Sequence, residues 1–248
     1  MSFQSQFVCL LFVVAFLTPP DAQATEGAAL LKDKAVAVIR GQQVYNRACI
    51  ACHGVVGDGN GPAAKYLNPR PRDFTSGTYK FRSTPSGELP TDEDLYRTVT
   101  IGIPRTMMPA WRDLLTEQER RDVVAYIKTF SNKFRQMGPG TPIQISREPK
   151  MSLQTIAEGK KLYMIMECWA CHGLSGKGDG KSANTLKDDW GYKIKPFNFT
   201  LGNYKGGKDN RSIYKTFNTG LNGTPMPSYA ETFLFGGDSI GDLSSYRE

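Results

Sequence analysis

Two short stretches decide how this chain is read: "CIACHG" at residues 49–54 and "CWACHG" at residues 168–173. Each contains Cys-x-x-Cys-His, and the only two histidines of the 248 residues, His53 and His172, are the ones in these stretches. Of the five cysteines, Cys49, Cys52, Cys168 and Cys171 belong to the motifs. The fifth, Cys9, lies in an apolar run from Phe7 to Leu17, which is too short to span a bilayer. Pro19-Pro20 and a small-x-small pattern, Ala22-Gln23-Ala24, follow that run, so residues 1–24 read as an export signal cut after Ala24. The weaker alternatives are an uncleaved short anchor, favoured by an N-terminal region without Lys or Arg, and a lipoprotein. Cleavage removes one acid, Asp21, and no base, taking the formal charge from +7 to +8. It also leaves every remaining cysteine in a motif, with none spare for a disulfide.

The likeness between the two halves extends well beyond the cysteines. Gly41-Gln-Gln-Val-Tyr45 precedes the first motif as Gly159-Lys-Lys-Leu-Tyr163 precedes the second. A glycine-rich turn follows each motif. Then DFTSGTYK (73–80) matches NFTLGNYK (198–205), LYRTVTIG (95–102) matches IYKTFNTG (213–220), and MPAW (108–111) matches MPSY (226–229). The offset is 119 at the cysteines, 125 at Phe74/Phe199 and 118 at the methionines. The second copy therefore carries an insertion around LKDDWGYKIK and a deletion after Lys205. Five matched blocks in one order mean two copies of one domain. The breakers Gly138-Pro139-Gly140 and Thr141-Pro142 mark the linker between them. The expected organisation is a first domain over 25–135, a linker over 136–152 and a second domain over 153–248.

Both copies read as helical. The spacing predicts a helix over 26–48, and a capping-box start at Thr91–Asp94 opens a second with Leu95, Val99 and Ile101. Another begins at Thr116–Glu119 and puts Val123, Val124, Tyr126, Ile127 and Phe130 on one face. No strand alternation recurs, and KIKPFNFTLG is at most a short strand or an extended loop. The charge is spread out and no DNA-binding motif appears, so nucleic acid is not the expected partner. A basic exported protein suits an acidic or membrane-bound partner instead.

Three chemistries use paired cysteines at this spacing. A shared zinc site would leave the duplicated surroundings of each pair unexplained. A thioredoxin-like redox pair would need a βαβ setting, which is missing. Covalent haem attachment accounts for the residue that follows: two thiols bond one porphyrin, and the next histidine reaches its iron. Residues three and four apart share a helical face, so both sulfurs and the imidazole can address one haem. Two copies then mean two haem c groups, held through Cys49, Cys52, Cys168 and Cys171, with His53 and His172 on iron. No further histidine or cysteine is left for the other side of the metal, and methionine is the remaining strong ligand. Met108-Pro109 and Met226-Pro227 occupy matched positions, whereas Met107 aligns with Pro225, so Met108 and Met226 are the candidates. Met164 and Met166 are expected to pack in the core.

The residues CIACHG…MPAW…LTEQERRDVVAYIKTF resemble a class I cytochrome c, and the mature chain resembles a tandem, dihaem version. The resemblance implies an all-α fold, a few helices around one covalently bound haem per copy, His and Met as axial ligands, and a crossing of the first and last helices. Gly41 and Tyr45 with Tyr126 fit that crossing, as do Gly159 and Tyr163 with Tyr246. It implies a periplasmic carrier of single electrons between respiratory redox partners, a donor and an acceptor protein, with no small-molecule substrate and no catalytic residue. Arg72, Lys80, Arg82 and Lys205 are candidate donors to the haem propionates. The turn around Gly61-Pro62 resembles the family's histidine-orienting segment, but copy two has Gly180-Lys181 there, so the role is not carried over to it. Two alternatives stand beside the carrier. One is a haem subunit of a larger oxidoreductase complex. The other is a dihaem enzyme of peroxidase-like or thiosulfate-oxidising type, whose acid–base work would fall to Glu88, Asp92 or Glu93 because no His or Cys is spare. Only copy one ends in a full helix; copy two ends in GDSIGDLSSYRE, so its last helix is expected to be short and its haem more exposed.

Overall fold

The computed structural model describes residues 20–230, with side chains from residue 25 onward. By its internal contacts the chain divides into a unit ending at Val36 and a unit beginning at Ala37. The described part of the first is a stretch of helix on which Leu30, Leu31 and Val36 are exposed. Both copies of the repeat belong to the second. Eight α-helices occur among the described residues: α1 Pro20–Ala48, α2 Ile50–His53, α3 Asp92–Ile101, α4 Glu117–Ile127, α5 Lys133–Met137, α6 Leu153–Ile165, α7 Cys168–His172 and α8 Asn210–Thr219. There is no strand among them, only an isolated bridge between Lys187 and Lys193. The fold is all-α, and KIKPFNFTLG is an extended loop entering a 3-10 turn at Phe199–Leu201. None of the described helices is long and apolar enough to cross a membrane. The expected cleavage point after Ala24 lies within α1.

The capping residues place the helix starts. Thr91 Oγ1 accepts from Asp94 N at 3.1 Å while Asp94 Oδ2 accepts from Thr91 N at 3.1 Å, satisfying two otherwise orphaned amides at the start of α3. Thr116 and Glu119 repeat this at α4, and Ser152 and Thr155 at α6. At α8 the Asp209 carboxylate accepts from Ser212 N at 2.9 Å. Met137 ends α5, and residues 138–152 contain no helix until α6. This segment is tied to copy one by Gly140 N–H to Leu89 O (3.1 Å) and Ile143 N–H to Ser83 O (2.7 Å).

The core of copy one is where α1 crosses α4. Val44, Tyr45, Val123, Val124 and Ile127 bury there with Leu95 and Val99 of α3. The crossing is close because residue 41 is glycine. A Cβ on Gly41 would lie 2.0 Å from Asp122 O and 2.9 Å from Tyr126 Cβ. Beside it, Arg40 clamps the buried Asp122 carboxylate with bonds of 2.6 and 3.0 Å, and the Tyr45 and Tyr126 rings meet edge-on at 5.3 Å. In copy two the expected partner of Tyr163, Tyr246, lies outside the described residues, as does the expected short last helix. Only Ala183 of copy two's described residues joins the buried apolar set. Leu153, Ile156 and Met164 on α6 are exposed, so Met164 is not the core residue its sequence position suggested. It lies on the outward side of α6.

Candidate functional site

Each Cys-x-x-Cys-His motif forms one helical turn, α2 or α7, ended by a glycine in a left-handed conformation (Gly54 φ 80°, Gly173 φ 78°). The glycine-rich turn that follows folds back over the motif and satisfies its carbonyls one by one. Gly59 N–H bonds His53 O at 3.0 Å, and Gly178 N–H bonds His172 O at 2.8 Å. Gly61 and Gly180 bond Cys52 O and Cys171 O, both at 3.1 Å. Tyr45 Oη and Tyr163 Oη donate to Gly54 O and Gly173 O at 2.8 and 2.7 Å. The duplication seen in the sequence therefore holds bond for bond. It also explains the glycines: a Cβ on Gly61 or Gly180 would lie within 2.6 Å of the motif's own carbonyl oxygens.

The histidines are held in matching ways. His53 Nδ1 lies 3.0 Å from Arg72 O, and His172 Nδ1 lies 3.1 Å from Phe197 O. A carbonyl can only accept, so Nδ1 carries the proton and Nε2 keeps its lone pair. Phe74 stacks on the His53 ring at 4.5 Å and Phe199 on the His172 ring at 4.4 Å. Burial pushes both imidazoles below their ordinary pKa, and the Arg72 charge adds to this at His53. Both are thereby kept in the neutral form that a metal requires. The orienting carbonyl is not from the Gly61-Pro62 turn, which serves the Cys52 and Ala51 carbonyls instead. It comes from the residue two before the matched phenylalanine, and the identical offset of 125 was the sequence signal for it.

The methionine segments are also duplicated. Ile103 N–H bonds Met108 O and Leu221 N–H bonds Met226 O, both at 3.1 Å. Thr106 Oγ1 accepts from Met108 N (3.1 Å) and Thr224 Oγ1 from Met226 N (3.2 Å). Met108 and Met226 are half-buried, whereas Met107 is 69 % exposed. The loops start at Gly102 and Gly220, both with left-handed φ (67° and 68°), where a Cβ would run into the Pro109 or Pro227 backbone.

The remaining lining bears on the fit of a haem. Tyr79 Oη, Thr84 Oγ1 and Trp111 Nε1 are buried in copy one with no hydrogen-bond partner in the protein. A buried orphan donor costs about 1–3 kcal/mol. Burial also pushes Lys80 down to about 8 and Arg72 below its ordinary value. Orphan donors and desolvated cations fit a bound group with acidic oxygens, as the propionates of haem are. Cys49, Cys52, Cys168 and Cys171 are free thiols, and burial pushes Cys49 up to about 12. Among the described residues no three His, Cys, Asp or Glu side chains converge as a metal-holding group, so the two cysteine pairs do not form one zinc site. Arg82 departs from expectation. It is 1 % exposed, and its guanidinium is spent on backbone carbonyls, those of Pro85 (3.2 Å) and Thr219 (2.5 Å) among them. It ties the copies together and is not available to a propionate. Asp92 and Glu93 sit in the first turn of α3, paired with Lys128 and Arg121.

A sequence profile of the cytochrome c family matches residues 38–131 and 156–246, one stretch per copy. The chain belongs to the cytochrome c family. As a dihaem cytochrome it carries two covalently bound haem c groups with iron, and its role is electron transfer. It is also similar, at 48% identity and a TM-score of 0.76, to a chain of the reducing HAO-like protein complex Kustc0457/Kustc0458 of Kuenenia stuttgartiensis. The match covers 78% of this cytochrome and 88% of that chain.

Proposed function

We propose that this cytochrome passes single electrons between two redox proteins through two haems of equivalent ligation. Cys49 and Cys52 would bond one haem, and Cys168 and Cys171 the other. His53 with Met108 would hold the iron of the first, and His172 with Met226 the iron of the second. The observation that carries this reading is the bond-for-bond duplication of the histidine and methionine supports around each motif. Bound haem iron supplies reversible one-electron chemistry. The chain's own residues supply the rest. Arg72 O and Phe197 O fix the tautomer and aim Nε2. Phe74 and Phe199 cover the rings against water. Tyr79, Trp111, Arg72 and Lys80 offer donors and charge to the carboxylates of the haem in copy one.

The export signal over 1–24 and the periplasm as the working compartment belong to the same proposal, as do domains at 25–135 and 153–248. N-terminal sequencing of the holoprotein should begin at Thr25. The likeness to a chain of a HAO-like complex favours a more specific reading, in which the cytochrome works as the haem subunit of an oxidoreductase assembly. Optical spectra of the oxidised holoprotein test the core of the proposal. Two low-spin haems with the weak far-red band of methionine-ligated iron are expected, and high-spin iron in either copy as isolated would sink it. Co-purification of a HAO-like protein in fixed stoichiometry would establish the subunit reading, and a monomer free of partners would reject it.

A further inference from the structure

The two methionine loops are alike inside but differ in what holds them from outside. α8 ends at Thr219, and its last carbonyls need donors that the helix cannot supply. Arg82, from copy one, supplies them: Nη2 donates to Thr219 O at 2.5 Å and Nη1 to Gly220 O at 3.4 Å. The same guanidinium donates to Pro85 O at 3.2 Å and Tyr79 O at 3.5 Å, so it is anchored in its own copy. A buried cation also suits the negative end of a helix. Gly220, held this way, packs against the Pro227 backbone, where a Cβ would come within 2.7 Å. The next residue, Leu221, gives its N–H to Met226 O. Copy one reaches the loop a second time, where Asn222 Oδ1 accepts from Ser86 Oγ and Gly87 N, each at 3.3 Å. A Cβ on Gly223 would lie 3.1 Å from Thr78 Cγ2.

Among the described residues the Met108 loop has no such outside support. Among the described residues, no side chain of copy two donates to the carbonyls of Ile101 or Gly102. Arg82 has no counterpart either. In the Phe74/Phe199 register its equivalent is Gly207, at the deletion that follows Lys205.

We propose that Arg82 is a positioning residue for Met226: a side chain of the first copy sets the placement of the methionine loop in the second. The proposal rests on the assignment of Met108 and Met226 as iron ligands. Its consequence is an asymmetry: among the described residues, copy one braces the methionine loop of copy two, and copy two gives no matching brace to the methionine loop of copy one.

The test uses the holoprotein with Arg82→Met placed in two backgrounds. In Met108→Ala, the far-red band that remains belongs to Met226, and Arg82→Met should remove more than half of it and lower that haem's potential. In Met226→Ala, the remaining band belongs to Met108, and Arg82→Met should leave it and its haem's potential unchanged. Amide exchange gives a readout independent of iron. The Leu221 and Thr224 amides should exchange about tenfold faster or more in Arg82→Met, with Ile103 and Thr106 unaltered. Asn222→Ala, a surface change safe for folding, should speed exchange in the same two amides by a smaller factor. If Arg82→Met does not accumulate, Arg82→Lys keeps the charge but cannot reach Pro85 O and Thr219 O at once, and should show the same losses in part. An unchanged band in the Met108→Ala background, equal losses in both backgrounds, or unchanged exchange at 221–224 overturns the proposal. Failure of the underlying reading looks different: Met226→Ala alone would then leave the far-red absorption at full strength.

Discussion

Replacing Gly41 by alanine tests the crossing on which copy one is built. In an exposed helix the change would stabilise by about 1 kcal/mol, because glycine is the poorer helix former. Here the added methyl would sit 2.0 Å from Asp122 O and 2.6 Å from Asp122 C, with Tyr126 Cβ at 2.9 Å. These atoms are backbone and the root of a side chain, so none can swing aside. Relief requires α1 and α4 to part by roughly 1 Å or more, since carbon and oxygen pack at about 3.4 Å and dispersion falls steeply beyond contact. That separation loosens the contacts around Val44, Tyr45, Val123 and Val124, all at most 3 % exposed. Overpacking of a tight core costs about 1–3 kcal/mol, and an unyielding site belongs at the upper end. After the helix gain, about 2 kcal/mol of net loss is expected. With a urea slope of about 1–3 kcal/mol per molar, the midpoint for unfolding copy one should fall by about 0.7–2 M. The assay is urea unfolding of the holoprotein followed by circular dichroism, with exchange at the Val123–Ile127 amides to identify the copy. Gly27→Ala in the same helix, where nothing lies within 4 Å, should be neutral or mildly stabilising. A Gly41→Ala protein as stable as the parent would show that this crossing does not set the core.

Other substitutions probe the sites directly. Met108→Ala and Met226→Ala should each remove about half of the far-red methionine band and lower the potential of one haem, since thioether ligation raises it; equal shifts of both haems would contradict two separately ligated sites. Gly102→Ala and Gly220→Ala force a side chain into a left-handed backbone and against Pro109 or Pro227. The first should weaken the Met108 band and the second the Met226 band, and spectra of the single variants check this. Trp111→Phe discriminates by sign. If Nε1 were an orphan in the holoprotein, its removal would stabilise; if it bonds a haem carboxylate, stability should drop by about 1–2 kcal/mol in urea titrations.

Much of this architecture was legible because the chain states it twice. Internal matching picked out Met108 over Met107, and the structure gives Met108 and Met226 the same Thr hydroxyl two residues earlier. Capping residues at Thr91 and Thr116 announced α3 and α4, and the resemblance to class I cytochromes c implied the crossing that Gly41 and Tyr45 fit. What stayed hidden was carried by main-chain atoms or by one copy alone. The carbonyls that orient the histidines belong to Arg72 and Phe197, residues with nothing chemical in common, so side-chain matching passed over them. Arg82 read as one more cation of a basic loop, because its partners are carbonyls 137 and 138 positions away. The insertion in copy two gave no hint that Trp190 would lie against the Arg72 guanidinium, 4.8 Å from its ring centre.

The use of backbone carbonyls at Arg72 and Phe197 has a further consequence. A contact made by the main chain survives any exchange of the side chain attached to it. After duplication, position 72 and its partner 197 could therefore diverge, one to a cation and one to an aromatic ring, without disturbing either histidine. The Arg72 charge stands beside His53 and the Phe197 ring beside His172, with the same carbonyl contact to each imidazole. If both histidines hold iron as proposed, a cation beside one and not the other would set the two haems at different potentials with no difference in the type of ligand.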